Sequence, residues 1–145
     1  MKISIACDHG GYDLKENLKK WLEENNYDVI DYGTNSTESC DYPDFGRPAA
    51  EAVRDKKVDR GIVICTTGIG MSIVANKVKG VRCALVSNTE GASLTRRHND
   101  SNVLALGAKF TTPSLALEIV KIWLETPFEG GRHQRRVDKI MDIEK

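Results

Sequence analysis

Short apolar runs alternate along this chain with longer segments in which apolar residues recur every three or four positions. The short runs contain β-branched residues and are typical of buried strands, whereas the longer segments predict amphipathic helices. Five strands are predicted in this way, over 2–7, 27–32, 61–64, 81–86 and 103–106. Because a helical segment follows each strand, we expect parallel strands joined by right-handed crossovers.

Residues typical of helix ends locate the predicted helices. They are Pro48 in a first turn, Gly80 after a helix end, Ser87 with Glu90 as a capping box, and Thr112 as an N-cap. A last helix is predicted over 132–144, with an apolar face formed by Val137, Ile140 and Met141. The pattern therefore indicates an α/β fold, one domain over residues 1–145, with helices on both faces of a five-stranded parallel sheet.

Charge and cysteine content bear on the partners and the compartment to be expected. Lysine plus arginine and aspartate plus glutamate each number 21, so charge gives no reason to expect nucleic acid or an anionic membrane as a partner. No apolar run approaches the length of a membrane span, and we expect a cytoplasmic protein. The four cysteines, Cys7, Cys40, Cys65 and Cys83, form no C-x-x-C pair, which argues against a zinc knuckle and favours free thiols.

Polar residues follow the predicted strands at the edge of the sheet where ligands bind in open parallel sheets. They include Asp8, His9, the segment 65–70, Ser87, Asn88 and Lys109. The segment 61–77 is predicted to be strand, loop and helix, and the free amides that begin its helix suit an anion. Cys65 ends this strand, where a helix N-terminus favours a thiolate that acts as base or nucleophile. The alternative is that Cys65 is a small buried hydrophobe.

Two further segments contain candidate site residues. The stretch 34–44 is long for a connection between strand and helix, and such loops often carry function, so Tyr42 and Asp44 are candidates. The alternative is a solvated loop. Arg132 and Arg136 stand four residues apart and could bind one phosphate with forked donors, or they form a solvated helix face.

Three familiar phosphate or cofactor loops do not fit the segment 65–72. No Gly-Lys-Ser/Thr occurs, which excludes the common nucleotide-hydrolase loop. Ile73 stands where the dinucleotide pattern needs its third glycine, and Met71 stands where a cysteine phosphatase needs arginine. Each histidine taken alone is more often structural than catalytic, which applies to His9, His98 and His133.

Several motifs nevertheless occur together in one order: Asp8-His9-Gly-Gly, Tyr42-Pro43, Cys65-x-Thr67-Gly-x-Gly70, His98-Asn99 and Gly130-Gly-Arg-His-Gln-x-Arg136. Over nearly the whole chain this pattern resembles type B ribose-5-phosphate isomerase. The resemblance implies a Rossmann-like three-layer αβα sandwich with a five-stranded parallel sheet and a C-terminal helix. It also implies an aldose-ketose isomerase of the pentose phosphate pathway, which interconverts ribose 5-phosphate and ribulose 5-phosphate without metal or cofactor.

The resemblance further implies roles for individual residues. Cys65 would be the base that moves a proton through an enediolate, His98 the acid that opens the furanose ring, and Thr67 an assistant at the ring or hydroxyls. The implied substrate-binding residues are Asp8, His9, Tyr42, Thr66, Gly68, Ile69, Gly70, Asn99, Lys109, Arg132 and Arg136. The family forms homodimers or homotetramers, so His98 and the two arginines are expected to complete the site of the partner subunit.

Two residues depart from the family pattern. Thr66 stands where glycine is usual, which would add strain if the position requires positive φ. Lys109 stands where arginine is usual, which keeps the charge but loses the bidentate geometry. Two alternative functions remain open: an isomerase of another sugar phosphate, such as allose or galactose 6-phosphate, and a non-catalytic sugar-phosphate sensor. The galactose 6-phosphate subunits lack the His-Asn pair, and a sensor would need neither Cys65 nor His98.

Overall fold

Five strands form one sheet in the computed structural model, which describes residues 1–145. They are β1 (Lys2–Cys7), β2 (Asp28–Asp31), β3 (Arg60–Cys65), β4 (Cys83–Leu85) and β5 (Val103–Gly107). All neighbouring strands are parallel, in the order β2-β1-β3-β5-β4. The predicted five-stranded parallel sheet is confirmed, although β4 is shorter than the predicted run 81–86.

Six α-helices accompany the sheet. They are α1 (Tyr12–Glu24), α2 (Pro43–Arg54), α3 (Ile69–Asn76), α4 (Thr89–Asn99), α5 (Pro113–Glu125) and α6 (Arg132–Asp142). A short 3-10 turn, His9–Gly11, joins β1 to α1. None of the helices combines the length and the apolar character that crossing a membrane requires.

The direction of each crossover determines which face of the sheet its helix covers. The connections β1–β2 and β4–β5 move the same way across the sheet, so right-handed crossovers place α1 and α4 on one face. The connections β2–β3 and β3–β4 move the opposite way and place α2 and α3 on the other face. Because α5 contacts both α1 and α4, and α6 contacts α4, the predicted three-layer sandwich is confirmed.

Side chains of β3 alternate between two apolar cores, one on each face of the sheet. Ile62 and Ile64 face the core beneath α1 and α5, whereas Val63 and Cys65 face the core beneath α2 and α3. All four are buried, and full burial of an isoleucine or valine stabilises the fold by about 1.5–3 kcal/mol. The alternation places Cys65 at the end of β3 on the face that α2 and α3 cover.

The chain leaves β1 and β3 in opposite directions, although the two strands are neighbours. Such a topological switch point opens a crevice at the carboxyl ends of the two strands, where ligands bind in open α/β sheets. The Asp8 amide donates to the Ile64 carbonyl at 3.1 Å, so the two strand ends are held side by side. The crevice therefore lies between Asp8 and Cys65.

Two predicted features at helix starts are wrong. The helix α2 begins at Pro43, so Pro48 lies inside it and not in its first turn. Pro48 has no amide hydrogen to donate. Its acceptor would have been a carbonyl in the exposed first turn of α2, where water can take the place of the donor, and this explains why a proline is tolerated here. At the start of α4, the cap is Asn88 and not Ser87: Asn88 Oδ1 accepts from the Gly91 amide at 2.6 Å. No capping box forms.

Two later features, the end of α3 and the buried face of α6, also differ from the prediction. The helix α3 ends at Asn76, before Gly80, and the Asn76 side chain bonds the backbone of Cys83 at 2.8 and 3.0 Å. These bonds join the end of α3 to the start of β4. On α6, Val137 is buried but Ile140 is nearly half exposed, so this helix buries a narrower face than predicted.

Candidate active site

Cys65 is the buried last residue of β3, and the loop that follows folds back onto its sulfur. The Gly68 amide donates to Cys65 Sγ at 3.2 Å, and the Ile69 amide donates to Thr67 Oγ1 at 3.2 Å. Gly68 has a φ of 78°, a conformation that glycine adopts without steric cost. The loop therefore directs an amide at the sulfur and leaves the Thr67 hydroxyl hydrogen free for another acceptor.

Asp8 and His9 lie across the crevice from this loop. The buried Asp8 accepts a hydrogen bond from the Gly11 amide at 3.0 Å, which caps the 3-10 turn. His9 Nδ1 accepts from the Cys40 amide at 3.2 Å, which ties the segment before α2 to the end of β1. In a neutral imidazole an accepting Nδ1 leaves the proton on Nε2, so the His9 Nε2–H is available as a donor.

One open cavity of about 460 Å³ joins these elements. Its lining residues are Asp8, Tyr42, Cys65, Thr66, Thr67, Ile69, Gly70 and Ile73. Tyr42 stands against Gly70, where a Cβ would lie only 2.7 Å from the Tyr42 Cζ atom. A residue without a side chain at position 70 thus allows the phenol to close one side of the cavity. Asp44 lies in the first turn of α2 and is not part of the lining.

Thr66 and Lys109 are adjacent, because the Lys109 amide donates to the Thr66 carbonyl at 2.9 Å. Positive φ among non-glycine residues occurs only elsewhere in the chain, so the strain considered for a threonine at position 66 does not arise. The Thr66 hydroxyl lies against Gly10, in the space that the Cβ of any other residue at position 10 would need. Lys109 is exposed at the same sheet edge as Cys65, where its ammonium can meet an anion as a point charge.

Two other thiols are poorly suited to proton transfer at neutral pH, because burial raises the pKa of Cys7 and of Cys83 to about 12 each. Cys83 lines the largest cavity, of about 620 Å³, which β4, α4 and the C-terminal residues enclose. That cavity contains Asn99 but none of the residues that surround Cys65. The cavity at Cys83 is the larger of the two, but the raised pKa of its thiol makes it the poorer candidate for catalysis. We therefore take the cavity at Cys65 as the candidate active site.

His98, near the end of α4, stacks on His133 with ring centroids 4.2 Å apart and an angle of 12° between the rings. Glu129 Oε1 lies 4.0 Å from His98 Nε2 and 3.4 Å from His133 Nε2. Glu129 Oε2 accepts from Arg97 Nε at 2.7 Å, and this bond lowers the pKa of Glu129. Burial, and then the neighbouring His98, lower the pKa of His133. These shifts favour a charged Glu129 and a neutral His133.

Arg132 and Arg136 lie beside this group on the first turns of α6, which contacts α4. Both are exposed and neither pairs with a carboxylate, whereas Arg97 is paired with Glu129. Two unpaired guanidinium groups one helical turn apart suit an anion with several oxygens.

The two groups of residues lie at opposite edges of the sheet. The helix α4 runs from the carboxyl end of β4 to the amino end of β5, so His98 and Asn99 are far from the carboxyl end where Cys65 lies. The six residues of β3 alone span about 20 Å. One chain brings together Asp8, His9, Tyr42, the loop 65–70 and Lys109. It brings together separately His98, Asn99, Arg132 and Arg136.

The sequence does not single out Glu129, and it gives His133 only a structural interpretation. Their spacing of four residues matches one helical turn, but Gly130 and Gly131 stand between them with positive φ and obscure that periodicity. Only the tertiary contact with His98 shows that the three side chains form one group.

Comparisons with known proteins agree with this fold. Residues 3–140 match the family model described as Ribose/Galactose Isomerase. Ribose-5-phosphate isomerase B of Escherichia coli (strain K12) is 48% identical over 143 residues, which cover 99% of this chain and 96% of the relative.

Solved structures show the same likeness. Ribose-5-phosphate isomerase B of Clostridium thermocellum has a TM-score of 0.98 at 54% identity, covering 99% of this chain and 97% of that one. The Mycoplasma genitalium ribose-5-phosphate isomerase B, solved with bound ribulose-5-phosphate, has a TM-score of 0.94 at 45% identity, with coverages of 99% and 95%. With matches of this extent in sequence and in fold, the chain belongs to the ribose/galactose isomerase family.

Proposed function

We propose that this chain interconverts ribose 5-phosphate and ribulose 5-phosphate, with Cys65 as the catalytic base. The observation that carries the proposal is the hydrogen bond from the Gly68 amide to Cys65 Sγ, beside a cavity that Asp8 and Tyr42 also line. A thiolate at this place has a donor for its own charge, and the loop amides nearby can serve a substrate oxygen. The bound ribulose-5-phosphate of the Mycoplasma genitalium relative supports a pentose phosphate as substrate.

The reaction moves one proton between two carbons of the open-chain sugar. Cys65 removes the proton from C2 of the aldose, and the electron pair moves into a C1–C2 double bond while O1 becomes negative. The resulting enediolate takes the proton back at C1 from the Cys65 thiol, while the proton on O2 passes to O1, so that C2 becomes the ketone carbon and C1 carries the hydroxyl. A proton beside a carbonyl is weakly acidic, so donors must stabilise the oxyanion as it forms. The amides of the segment 66–70 are the proposed donors.

Thr67 is proposed to assist at a hydroxyl or at the ring oxygen. Its Oγ1 already accepts a hydrogen bond from the Ile69 amide, so the hydroxyl hydrogen is left to donate to the sugar. This arrangement fixes the direction of the hydroxyl without any contribution from the substrate.

His98 is proposed as the acid that opens the furanose ring, with Asn99 contacting the intermediate. In one chain both residues lie at the sheet edge opposite Cys65, so they could reach a Cys65 cavity only on a neighbouring chain. A two-fold dimer would permit this, because it can present the α4 end of each chain to the Cys65 cavity of the other. We therefore propose a homodimer, or a homotetramer built from such dimers, in which the subunits share their sites.

The phosphate end is proposed to lie between Lys109 of the chain that supplies Cys65 and Arg132 with Arg136 of the other. Neither arginine is engaged by a carboxylate in its own chain, so both can give forked hydrogen bonds to phosphate oxygens. Lys109 would add charge but no second parallel bond, so the arginines carry more of the phosphate contact. This assignment requires no metal or cofactor.

An isomerase of allose 6-phosphate or galactose 6-phosphate is the second candidate, because the family model covers ribose and galactose isomerases. It would use the same base and differ in the space left for a sixth carbon. A non-catalytic sensor is disfavoured, because a sensor has no need for a hydrogen-bonded thiol in its cavity.

A direct assay tests the proposal. The purified protein is incubated with ribose 5-phosphate, allose 6-phosphate and galactose 6-phosphate at equal concentrations, and the ketose formed is measured. We expect the highest kcat/KM with ribose 5-phosphate. Faster conversion of a hexose phosphate would replace the proposed substrate, and absence of ketose from all three would favour the sensor.

A further inference from the structure

Three potential metal ligands meet where α4, the segment before α6, and α6 come together. One donor atom from each of His98, Glu129 and His133 lies within 4.8 Å of the other two. The separation of 3.4 Å between Glu129 Oε1 and His133 Nε2 is already close to the ~3.3 Å that separates ligands around a tetrahedral Zn²⁺. His98 Nε2 lies 4.0 Å from Glu129 Oε1, and the two imidazole rings, now 12° from parallel, would tilt for both nitrogens to face one ion.

His133 carries a second and independent observation. Its Nε2 is buried and has no hydrogen-bond partner, and the residue is only 6% exposed. The Glu129 carboxylate approaches this nitrogen without the geometry of a hydrogen bond. A buried ring nitrogen left unpaired costs free energy, and such an atom in a native structure calls for an unseen partner.

The carboxylate is already oriented for this role. Arg97 Nε holds Glu129 Oε2 at 2.7 Å, and the Glu129 amide donates to the Arg97 carbonyl at 3.1 Å. These bonds engage Oε2 and the backbone of Glu129, so Oε1 remains free to face the histidines. Metal-binding carboxylates are commonly held in this way by an outer hydrogen bond.

We propose that His98, Glu129 and His133 form a binding site for a transition-metal dication of the zinc class. Two imidazoles and one carboxylate match the ligand set that Zn²⁺ prefers, and a fourth position stays open to water. Mg²⁺ and Ca²⁺ prefer oxygen ligands and would find only one carboxylate here. The nearby cations Arg97, Arg132 and Arg136 repel any dication, which further favours metals that bind imidazole strongly.

A bound metal would inhibit the enzyme. This consequence rests on the proposed function, in which His98 donates a proton to the closed sugar. A metal held at His98 Nε2 would occupy the nitrogen that carries the proton, so ring opening would stop while the metal stays bound.

Metal binding is tested first without any activity measurement. The intact protein, freed of metal by dialysis, is titrated with Zn²⁺ by calorimetry and with Co²⁺ by visible spectroscopy. We expect one ion per chain and a Co²⁺ spectrum of nitrogen and oxygen ligands. Mg²⁺ is expected not to compete. Absence of binding, or a sulfur-to-cobalt charge-transfer band that indicates a cysteine site, would overturn the proposal.

Two variants of the proposed ligands, Glu129→Gln and His133→Ala, and one control variant locate the ion. Glu129→Gln alters a side chain that is 40% exposed, so the fold is expected to persist. It should weaken Zn²⁺ binding by more than the ~10–100-fold that loss of an outer hydrogen-bond partner costs. Glu125→Gln, at the exposed end of α5, is the matched control and should leave binding unchanged. His133→Ala should abolish binding. Equal Zn²⁺ affinity in Glu129→Gln and Glu125→Gln would overturn the site.

Inhibition is tested separately, with ribose 5-phosphate as substrate. Each variant is compared with its own metal-free rate. Zn²⁺ at saturating concentration should inhibit the native chain and Glu125→Gln, reversibly with a chelator, and should spare Glu129→Gln. If the protein binds the metal as expected but has no isomerase activity, the metal site is supported and the proposed function is overturned. A bound metal that leaves the isomerase rate unchanged would overturn the inhibitory role.

Discussion

The Gly68 amide donates a hydrogen bond to Cys65 Sγ at 3.2 Å, and it does so from a backbone with a φ of 78°. A Cβ at Gly68 would lie 2.8 Å from the Leu106 carbonyl carbon and 2.6 Å from Leu85 Cδ1. Both conformation and space therefore require glycine at this position. The donor that faces the candidate base depends on this single turn before α3.

Gly68→Ala is expected to lower the free energy of unfolding by about 1–3 kcal/mol and to lower kcat, because the strained backbone must shift away from Leu106. Gly80→Ala is the matched control: Gly80 also has positive φ, 85°, but the nearest atom to its Cβ is 4.0 Å away. Denaturant unfolding and isomerase assays measure both effects. Equal losses in the two variants would show that the close contact with β5 adds nothing.

Cys65→Ala is expected to lower kcat by about 10²–10⁴-fold, because it removes the proposed base. Binding of ribose 5-phosphate should change little, since the methyl group of alanine keeps the cavity open and the phosphate residues remain. Calorimetry and ketose assays measure the two quantities. Cys83→Ala, in the other cavity, serves as the control and should retain activity. Substantial turnover in Cys65→Ala would exclude Cys65 as the base.

The sheet and the place of Cys65 could be predicted because both depend on local patterns. The apolar run before Cys65 forms a buried strand wherever it packs, and the small residues after it can only form a tight loop. The cap of α4 could not be predicted in the same way. Ser87 and Asn88 are both good caps, and the path of the chain from β4 decides between them.

The separation of His98 from Cys65 follows from the predicted alternation of parallel strands and helices. Because β4 and β5 are parallel, α4 runs back along the sheet whatever the strand order, and its last residues lie at the amino ends of the strands. The strand order is what local patterns do not give: nothing near His98 in the sequence indicates that β4 is the outermost strand and that β5 lies inside it. What propensity and spacing do not encode is that β1 lies beside β3, which brings Asp8 next to Cys65.

Lys15 on α1 is fully buried, and its ammonium donates to both Asp31 oxygens at 2.9 Å and to the Thr34 carbonyl at 2.6 Å. Lys15→Met removes the main partner of the Asp31 carboxylate, 14% exposed, but leaves Lys19 at 3.2 Å and the Gly33 amide at 2.8 Å, so it should cost about 1.5–3 kcal/mol of stability. The control Lys20→Met changes a side chain that is 79% exposed and should cost less than about 1 kcal/mol. Denaturant unfolding compares them, and similar small losses would contradict the prediction.

Asp31 should make stability depend on pH. Burial opposes its charge, but the Gly33 amide and Lys15 together hold the pKa of Asp31 below its usual value. A lowered pKa in the folded state stabilises the fold at neutral pH, and this contribution is lost as pH falls through the folded pKa. The stability difference between the native chain and Asp31→Asn should therefore be largest near neutrality and shrink below about pH 4. Unfolding at a series of pH values measures it; a difference that does not change with pH would exclude a charged Asp31.

Shared sites make a prediction that a single variant cannot test. Consider a dimer in which one chain carries Cys65→Ala and the other carries Arg136→Ala. If the subunits share sites, one site combines both lesions, while the other combines the intact Cys65 of the second chain with the intact Arg136 of the first. If each chain builds its own site, every site in the mixed dimer keeps one lesion.

Each variant alone is expected to be nearly inactive, and co-refolding them in equal amounts should restore activity. Random pairing makes half of the dimers mixed, and each mixed dimer has one intact site of two, so about a quarter of the native activity is expected. Two different affinity tags, purified in sequence, isolate the mixed dimer, which should then reach about half. Because His98 and Arg136 lie at the sheet edge opposite Cys65, restoration is the outcome that the fold favours. A proven mixed dimer no more active than its parents would place Arg136 in the site of its own chain.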